Sequence, residues 1–219
     1  NFITEGDMKN VAGWGMNCVR LPFNCRLLER KPYQYDPAGF HYLDDAVGWA
    51  KKYGVRLILD LHAAPGSQNH DWHSDSLGKA GLWTSKENQK RVCALWEAVA
   101  DRYKDEGAVA GYDLLNEAVV QDNGLLNRFY KSVIKTIRSV DRRHILFIEG
   151  NRWAQDINVL EDFSDDNWVY SIHFYEPVEF TFHLDHFLKY PLISKAGRWD
   201  AGVMCRRFKG YHDLAQRKQ

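Results

Sequence analysis

Short apolar runs alternate with longer stretches of helical periodicity along the chain. Runs rich in Val, Ile and Leu are typical of buried strands, whereas apolar residues that recur every three or four positions predict amphipathic helices. Because continuous apolar strands alternate with helices, the pattern indicates a parallel sheet covered by helices. The predicted strands are 16–21, 55–61, 109–115, 145–148 and 168–173.

Capping signals delimit the predicted helices. Thr4 and Asp7 form a capping-box pattern at the start of the first helix. Asp36-Pro37 begins the second helix as N-cap and first-turn proline, and Gly54 ends it. Further helices are predicted from Thr84, over 126–137, near 156–161 and over about 200–216.

Two architectures fit this alternation: a doubly wound sheet and a (β/α) barrel. No glycine-rich phosphate loop follows any predicted strand, which disfavours the dinucleotide-binding form of the doubly wound sheet. Polar side chains follow four of the strands. In a barrel, the rim formed by the carboxyl ends of the strands carries the catalytic residues, which come from different strands. The sequence therefore favours a (β/α)8 TIM-barrel type of fold, a partial barrel of about five parallel strands, as a single domain over residues 1–219.

Composition narrows the functional classes. The 219 residues include 29 Lys+Arg and 29 Asp+Glu, so the formal charge of zero argues against a nucleic-acid or membrane-surface partner. The hydrophobic share of 45% is that of a globular protein. Free buried thiols are expected for the four cysteines, with a Cys18–Cys25 bridge as the alternative. Since no targeting segment precedes Asn1, the compartment, secreted or cytoplasmic, stays undetermined.

Glu117 is the main candidate for proton transfer. It follows the apolar run 109–115, and burial at an apolar rim raises the pKa of a carboxyl group, which suits a proton donor. The alternative is a solvated or salt-bridged rim residue. Asn116 is interpreted as a ligand for a substrate hydroxyl or as a loop cap, and Arg20 as a carboxylate partner or a structural ion pair.

Histidines and aromatic residues extend the candidate site. His173 and Tyr175 are two positions apart, which places both on one face of a strand, where they bind substrate or fill the core. Trp72, Trp83 and Trp153 follow strand ends, where flat rings can stack on sugar faces. His62 is interpreted as structural or catalytic. A metal site is the weaker alternative: His62, His70, His73 and Asp75 are close in sequence, but they lack the H-E-x-x-H pattern.

Five motifs, in chain order, resemble glycoside hydrolase family 5, the cellulase-type (β/α) barrels. They are Asn17-Cys18-Val19-Arg20-Leu21-Pro22, Leu59-Asp60-Leu61-His62, Leu115-Asn116-Glu117, Ile148-Glu149-Gly150-Asn151-Arg152-Trp153 and His173-Phe174-Tyr175. The segment from His62 to Asn69 resembles a branch that includes β-1,3-glucanases and β-glucosidases beside endoglucanases. The usual proline after Asn-Glu is Ala118 here.

The resemblance implies hydrolysis of β-linked glucans without a cofactor or metal, by a retaining mechanism with Glu117 as acid/base. Arg20, Asn116, His62, His173 and Tyr175 match the family's active-site positions. Asn69, Glu149, Trp72, Trp83 and Trp153 are expected to contact an oligosaccharide. The family's nucleophile lies on a seventh strand, and no residue of this chain is identified with it, although Glu149 and Glu176 are carboxylates near the same rim.

Strands two to six of a barrel would form an open sheet with two unpaired edges. Such a sheet exposes apolar surface, so we expect a homo-oligomer. Two other functions stay open: a catalytically inactive carbohydrate-binding fragment of such an enzyme, and a metal-dependent barrel hydrolase. The linkage cleaved, β-1,4 or β-1,3, is not decided by the sequence.

Overall fold

The structure, a computed structural model, describes residues 3–182 and 200–218. Its contacts divide the chain into two compact units, Asn1–Ser171 and Ile172–Gln219. That the two form a single domain stays a prediction. No described helix is long and apolar enough to cross a bilayer.

A five-stranded parallel sheet forms the centre of the first unit. The strands in chain order are β1 (Cys18–Asn24), β2 (Glu29–Lys31), β3 (Gln34–Tyr35), β4 (Arg56–Ala63), β5 (Val109–Asp113), β6 (Ile145–Glu149) and β7 (Trp168–Ser171). The sheet order is β1-β4-β5-β6-β7, and all four pairings are parallel. All five predicted strands are confirmed within a few residues. β2 and β3 form a small separate antiparallel hairpin that the pattern did not predict.

Helices are interspersed with the strands along the chain. They are α1 (Glu5–Gly13), α2 (Cys25–Leu28), α3 (Pro37–Tyr53), α4 (Lys86–Tyr103), α5 (Asn123–Val140), α6 (Asn151–Ala154), α7 (Val178–Thr181) and α8 (Ala201–Lys218). Short 3₁₀ turns occur at Trp72–Ser74 and Ile157–Val159. The second turn lies where a short α-helix was predicted.

Local capping explains where the long helices begin and end. Thr4 and Asp7 make both bonds of the predicted capping box. Asp36 caps α3, and Gly54 ends it with the left-handed φ of 70° that glycine accommodates. The prediction placed the start of the next helix at Thr84, but the Ser85 side chain accepts the capping hydrogen bond and α4 begins one residue later.

The core lies between the sheet and the long helices. The Leu residues of β4 are buried, and Trp96 of α4 is fully buried with its Nε1 donating to the Leu114 carbonyl oxygen at 2.9 Å. β5 and β6 approach closely at Gly111, where a Cβ would lie 2.2 Å from the Ile145 carbonyl oxygen. This packing fixes the carboxyl ends of β4, β5 and β6 side by side.

The four cysteines are free, so the Cys18–Cys25 bridge is not formed. The prediction of buried thiols is right for Cys25 and wrong for Cys18 and Cys205, which are exposed.

The second unit contains α7 and α8. Within it the Phe174 and Phe208 rings lie 4.7 Å apart, and Arg207 Nε lies 3.2 Å from Glu176 Oε2. α8 confirms the predicted closing helix. β7 ends at Ser171 rather than at 173, so His173 and Tyr175 follow the strand and belong to this unit.

Candidate active site

Arg20 gathers polar side chains from three neighbouring strands under the carboxyl end of the sheet. Its Nε donates to Asp113 Oδ2 at 2.7 Å, and its Nη2 donates to Glu149 Oε1 at 2.8 Å and to Asn116 Oδ1 at 3.0 Å. Nη1 lies 3.0 Å from Asp60 Oδ2. These bonds connect β1 to β4, β5 and β6. We call Arg20, Asp60, Asp113 and Glu149 the arginine cluster.

The arginine cluster holds more negative than positive groups. Asp60, Asp113 and Glu149 are almost completely buried and face one guanidinium. Burial raises the pKa of Asp113 well above its usual value, and the nearby Glu149 carboxylate adds to the effect. Burial also raises the pKa of Asp60, against the His62 hydrogen bond and the Arg20 charge. The three carboxylates raise the pKa of Arg20 in spite of its burial, so this guanidinium is permanently charged.

His62 borders the arginine cluster at the end of β4. Its Nδ1 lies 2.8 Å from Asp60 Oδ2, and its side chain is 33% exposed. The buried carboxylate orients the ring, and no described side chain forms a hydrogen bond with the other ring nitrogen.

Glu117 ends the turn after β5 in a strained backbone conformation. Its φ of 49° lies in the left-handed region, which costs free energy for a residue with a Cβ. Glu149 Oε2 accepts the Glu117 backbone N–H at 2.6 Å and stabilises this conformation. The Glu117 carboxylate is 12% exposed and lies 2.9 Å from His73 Nε2. The acid is therefore largely desolvated.

Asn116 lies next to Glu117 and is almost fully buried. Its Oδ1 accepts from Arg20, which fixes the orientation of the amide, while its Nδ2 has no hydrogen-bond partner among the described residues. A buried donor without a partner is costly, and a ligand hydroxyl would satisfy it.

The loop between β4 and α4, residues 64–85, is called the site loop here. Its Gln68 is fully buried and donates from Nε2 to the His62 and Asn116 carbonyl oxygens, both at 2.8 Å. Asn69 is also fully buried and donates to the Glu117 carbonyl oxygen at 2.9 Å. Asn69, expected to contact sugar, therefore binds the backbone of the candidate acid.

The end of β6 forms an unusual left-handed turn. Arg152, Trp153 and Ala154 have φ values of 54°, 57° and 62°. Just before them, a Cβ on Gly150 would lie 2.3 Å from the Asp156 carbonyl oxygen, so this position requires glycine. The turn brings Trp153 Nε1 to Asp71 Oδ2 of the site loop at 2.6 Å, with the Trp153 residue 40% exposed.

The other two candidate tryptophans differ in exposure. Trp72 is 86% exposed on the site loop and is available to a ligand. Trp83 is half-buried, donates from Nε1 to the Gln68 carbonyl oxygen at 2.8 Å, and packs edge-on against Phe129 of α5. Its contacts are those of a residue that supports the site loop.

Sequence reasoning missed Gln68 and Asp113 as site residues, and it considered His73 only as a metal ligand. Asp113 had a visible signal, because an acid inside the apolar run 109–115 requires a buried partner. Gln68 lies in an aperiodic loop and had no such signal. Among the described residues no group of three His, Cys, Asp or Glu side chains is placed to hold a metal ion, and we build no proposal on one.

The parallel sheet, its helices and the polar side chains at the strand ends define a (β/α)-barrel protein with a candidate active site at the usual rim. The chain belongs to the Cellulase family, glycosyl hydrolase family 5, whose family model matches residues 1–202. This confirms the resemblance drawn from the five motifs.

Curated relatives share substantial sequence. The chain is 40% identical over 179 residues to the beta-xylosidase of Phanerodontia chrysosporium, which covers 80% of this chain and 38% of that protein. It is 35% identical over 189 residues to endoglucanase C of Acetivibrio thermocellus, which covers 84% of this chain and 54% of that protein. The chain thus spans about half or less of the length of these relatives.

Solved structures confirm the fold. Endoglucanase Cel5A from the hyperthermophilic Thermotoga maritima superimposes with a TM-score of 0.80 at 21% identity, covering 98% of this chain and 68% of that one. The partial-barrel prediction is therefore confirmed, with five parallel strands in the described residues.

Proposed function

We propose that this protein acts as a glycoside hydrolase on β-linked glucans, with Glu117 as the general acid/base. Family membership supports the proposal, as do relatives named endoglucanase C and glucan 1,3-beta-glucosidase. Because only the second of these names states a linkage, the proposal extends to both β-1,4- and β-1,3-glucans.

The observation that carries the proposal is the placement of Glu117. A carboxyl group that is mostly shielded from water, next to an Asn116 donor without a partner, can protonate a glycosidic oxygen while the amide binds a sugar hydroxyl. The hydrogen bond from its backbone to Glu149 holds the group in place before substrate arrives.

The remaining residues receive roles from their surroundings. His62 is proposed to contact sugar from the end of β4, and Trp72 and Trp153 to stack on sugar rings. Arg20 is a positioning residue, because its donors are directed at Asn116 and the buried carboxylates. Asn69, Glu149 and Trp83 are reassigned from substrate contact to support of Glu117 and of the site loop. His173 and Tyr175 keep the substrate role that the family resemblance implies.

The proposed reaction is retaining and uses no cofactor. Glu149 is fully buried and held by Arg20, which does not suit attack on an anomeric carbon. We assign the nucleophile to no residue of this chain. Carbohydrate binding without hydrolysis is the second candidate function, because the Asn116 donor and the exposed tryptophans need no nucleophile to bind sugar.

The test combines turnover with binding. Reducing-sugar release from β-1,4- and β-1,3-glucans is measured beside calorimetric binding of cellotetraose and laminaritetraose, for wild type, Glu117→Gln and the control Glu97→Gln. Glu97 is exposed on α4. We expect Glu117→Gln to lower turnover by about 10²–10⁴-fold with binding retained, and the control to match wild type.

Binding without turnover in the wild type would support the second candidate. Failure of every oligosaccharide to bind would contradict both.

A further inference from the structure

One hydrogen bond joins two loops of the candidate site that are far apart in sequence. Trp153 Nε1, in the left-handed turn after β6, donates to Asp71 Oδ2 of the site loop at 2.6 Å, across 82 residues. A hydrogen bond to a carboxylate is stronger than one between neutral groups. We call this contact the Asp71–Trp153 bridge. Asp71 lies outside the five motifs that resemble the family.

The site loop holds the Asp71 end of the bridge in place. The Asp71 backbone N–H donates to Asn69 Oδ1 at 2.9 Å. The Asp71 carbonyl oxygen accepts from the Ser74 backbone N–H at 3.1 Å and from Ser74 Oγ at 2.9 Å. Asn69 and Ser74 are both fully buried. The Asp71 carboxylate therefore extends from a backbone that is fixed on both sides.

The turn after β6 holds the Trp153 end. The Trp153 backbone N–H donates to the Ala118 carbonyl oxygen at 3.3 Å. Two residues earlier, the buried Asn151 accepts from the Val120 backbone N–H at 3.0 Å and donates to the Val120 carbonyl oxygen at 2.8 Å. This turn is therefore bound to the chain just after Glu117.

The site loop binds the same stretch of chain from the β4 side. Gln68 Nε2 donates to the Asn116 carbonyl oxygen, and Asn69 Nδ2 donates to that of Glu117. The Val119 backbone N–H donates to the Gln68 carbonyl oxygen at 3.1 Å. Since the bridge joins the two loops directly, the hydrogen bonds form a closed ring around the Glu117 turn. Neither loop can move away without breaking the bridge or its bonds to this turn.

The bridge determines what Trp153 can offer a ligand. The indole N–H is the only hydrogen-bonding group of this side chain, and Asp71 occupies it. The Trp153 residue is 40% exposed, so ring carbons are left for a ligand, which suits stacking on the face of a sugar. Trp72, the neighbour of Asp71 in sequence, is 86% exposed. Asp71 thus connects two exposed indoles, one through its side chain and one through its backbone.

We propose that Asp71 is a positioning residue, which holds Trp153 as a stacking surface for glucan units beyond those bound at Asn116 and Glu117. Asn116 is buried, whereas the bridge borders the exposed indoles, so a ligand must extend past the Asn116 amide to cover them. The inference deepens the proposed function and rests on it for the identity of the ligand. Asp71 acts through Trp153 and needs no contact with sugar.

The bridge itself is tested without ligand, by proton–nitrogen NMR spectra of the indole N–H groups. The Trp153 signal is assigned by its loss in Trp153→Phe. In Asp71→Ala, hydrogen exchange of this indole is expected to be about tenfold faster, because a charge-assisted hydrogen bond is lost. An unchanged exchange rate would overturn the proposal. Lys79→Ala, exposed on the same loop, is the control and should exchange like wild type.

The second test compares ligands of two lengths. Calorimetric affinities are measured for cellobiose and cellotetraose, and for laminaribiose and laminaritetraose. Asp71→Ala is expected to weaken tetrasaccharide binding by about fivefold and to leave disaccharide binding within about twofold of wild type. Asp71→Asn keeps an oxygen acceptor and should recover most of the affinity. Equal losses for both lengths would indicate general damage to the site and overturn the proposal, as would no loss at all.

A double variant shows whether Asp71 acts through the indole. Trp153→Ala should weaken tetrasaccharide binding at least as much as Asp71→Ala does. Adding Asp71→Ala to Trp153→Ala should then cause no further loss, because the ring that Asp71 positions is already absent. A further loss would mean that Asp71 binds the ligand directly, which contradicts a positioning role.

The two proposals fail separately. An unaffected indole, or equal losses for both ligand lengths, in a protein that binds oligosaccharides would remove this inference and leave the proposed function intact. An intact bridge in a protein that binds no oligosaccharide would remove the proposed function, and the sugar-related role of Asp71 with it.

Discussion

Glu149 Oε2 accepts the backbone N–H of Glu117 at 2.6 Å, so a fully buried carboxylate on β6 fixes the backbone of the residue that follows β5. The other oxygen of Glu149 accepts from Arg20 at 2.8 Å. One side chain therefore connects the floor of the candidate site to the group proposed to transfer the proton.

Glu149→Gln is expected to lower the free energy of unfolding by about 2 kcal/mol. An amide offers one oxygen, so either Arg20 or the Glu117 N–H loses its acceptor inside the protein. Urea denaturation measures the change. Glu161→Gln, which removes a surface partner of Lys131, is the control and should stay within about 1 kcal/mol. Equal losses in the two variants would contradict this role of Glu149.

Arg20→Lys is expected to destabilise the protein by about 3 kcal/mol or more. The single ammonium group of lysine cannot replace the guanidinium donors that bind Asp113, Glu149 and Asn116. Buried carboxylates would then lack a positively charged hydrogen-bond partner. Thermal and urea denaturation provide the measurement. Arg26→Lys, at an exposed pair with Asp75, should be nearly neutral, and a similarly small effect at Arg20 would show that the cluster is unimportant for stability.

The raised pKa of Asp113 predicts a specific pH dependence of the free energy of unfolding. Because its pKa is raised on folding, the native state binds more protons than the unfolded chain above the ordinary value of 3.8. The contribution of Asp113 to the free energy of unfolding therefore falls as pH rises, by about 1.4 kcal/mol per pH unit within the window.

Asp113→Asn should remove this dependence, so that the variant gains stability relative to wild type as pH rises from 4 through the raised pKa. Urea titrations at a series of pH values test it. Asp45→Asn on the exposed side of α3 should run parallel to wild type, and a parallel curve for Asp113→Asn would refute the assignment.

Arg152→Gly is expected to stabilise the protein by about 0.5–1 kcal/mol. Arg152 is exposed and has a φ of 54°, and glycine adopts this conformation without the clash of a Cβ. Substitution by glycine in a right-handed helix has the opposite effect. Lys135→Gly, at an exposed position of α5, should lower the free energy of unfolding by about 1 kcal/mol. Melting temperatures of the two variants suffice. Destabilisation by both would mean that the left-handed turn is not strained.

Self-association of the chain stays a prediction. In the part that the structure describes, β1 and β7 are each paired on one side of the sheet. Light scattering at micromolar concentration checks it, and a monodisperse monomer would contradict it.

The strands and long helices could be predicted because their apolar residues repeat with the period of the element that buries them. Arg20, Asn116 and Glu117 could be located for the same reason, since each is near the carboxyl end of a predicted strand. Position along a strand does not reveal burial. The sequence could not show that Glu149 is fully buried or that Asn69 donates to the Glu117 backbone carbonyl oxygen.

The site loop could not be predicted because its conformation depends on side-chain contacts rather than on periodicity. Gln68 and His73 gain their positions from hydrogen bonds to residues 48 and 44 places later in the chain. The left-handed turn at Arg152 likewise depends on the close approach of Gly150 to Asp156, and no local sequence pattern predicts this contact.

The arginine cluster also bears on the order of folding. Arg20 is separated in sequence from Asp113 by 93 residues and from Glu149 by 129. The arginine cluster therefore forms only after these distant segments have joined one sheet. Such long-range contacts slow folding, because the entropy of closing large loops is lost before the contacts form. We therefore expect the charged floor of the candidate site to form late in folding, so that substitutions in it accelerate unfolding more than they slow folding.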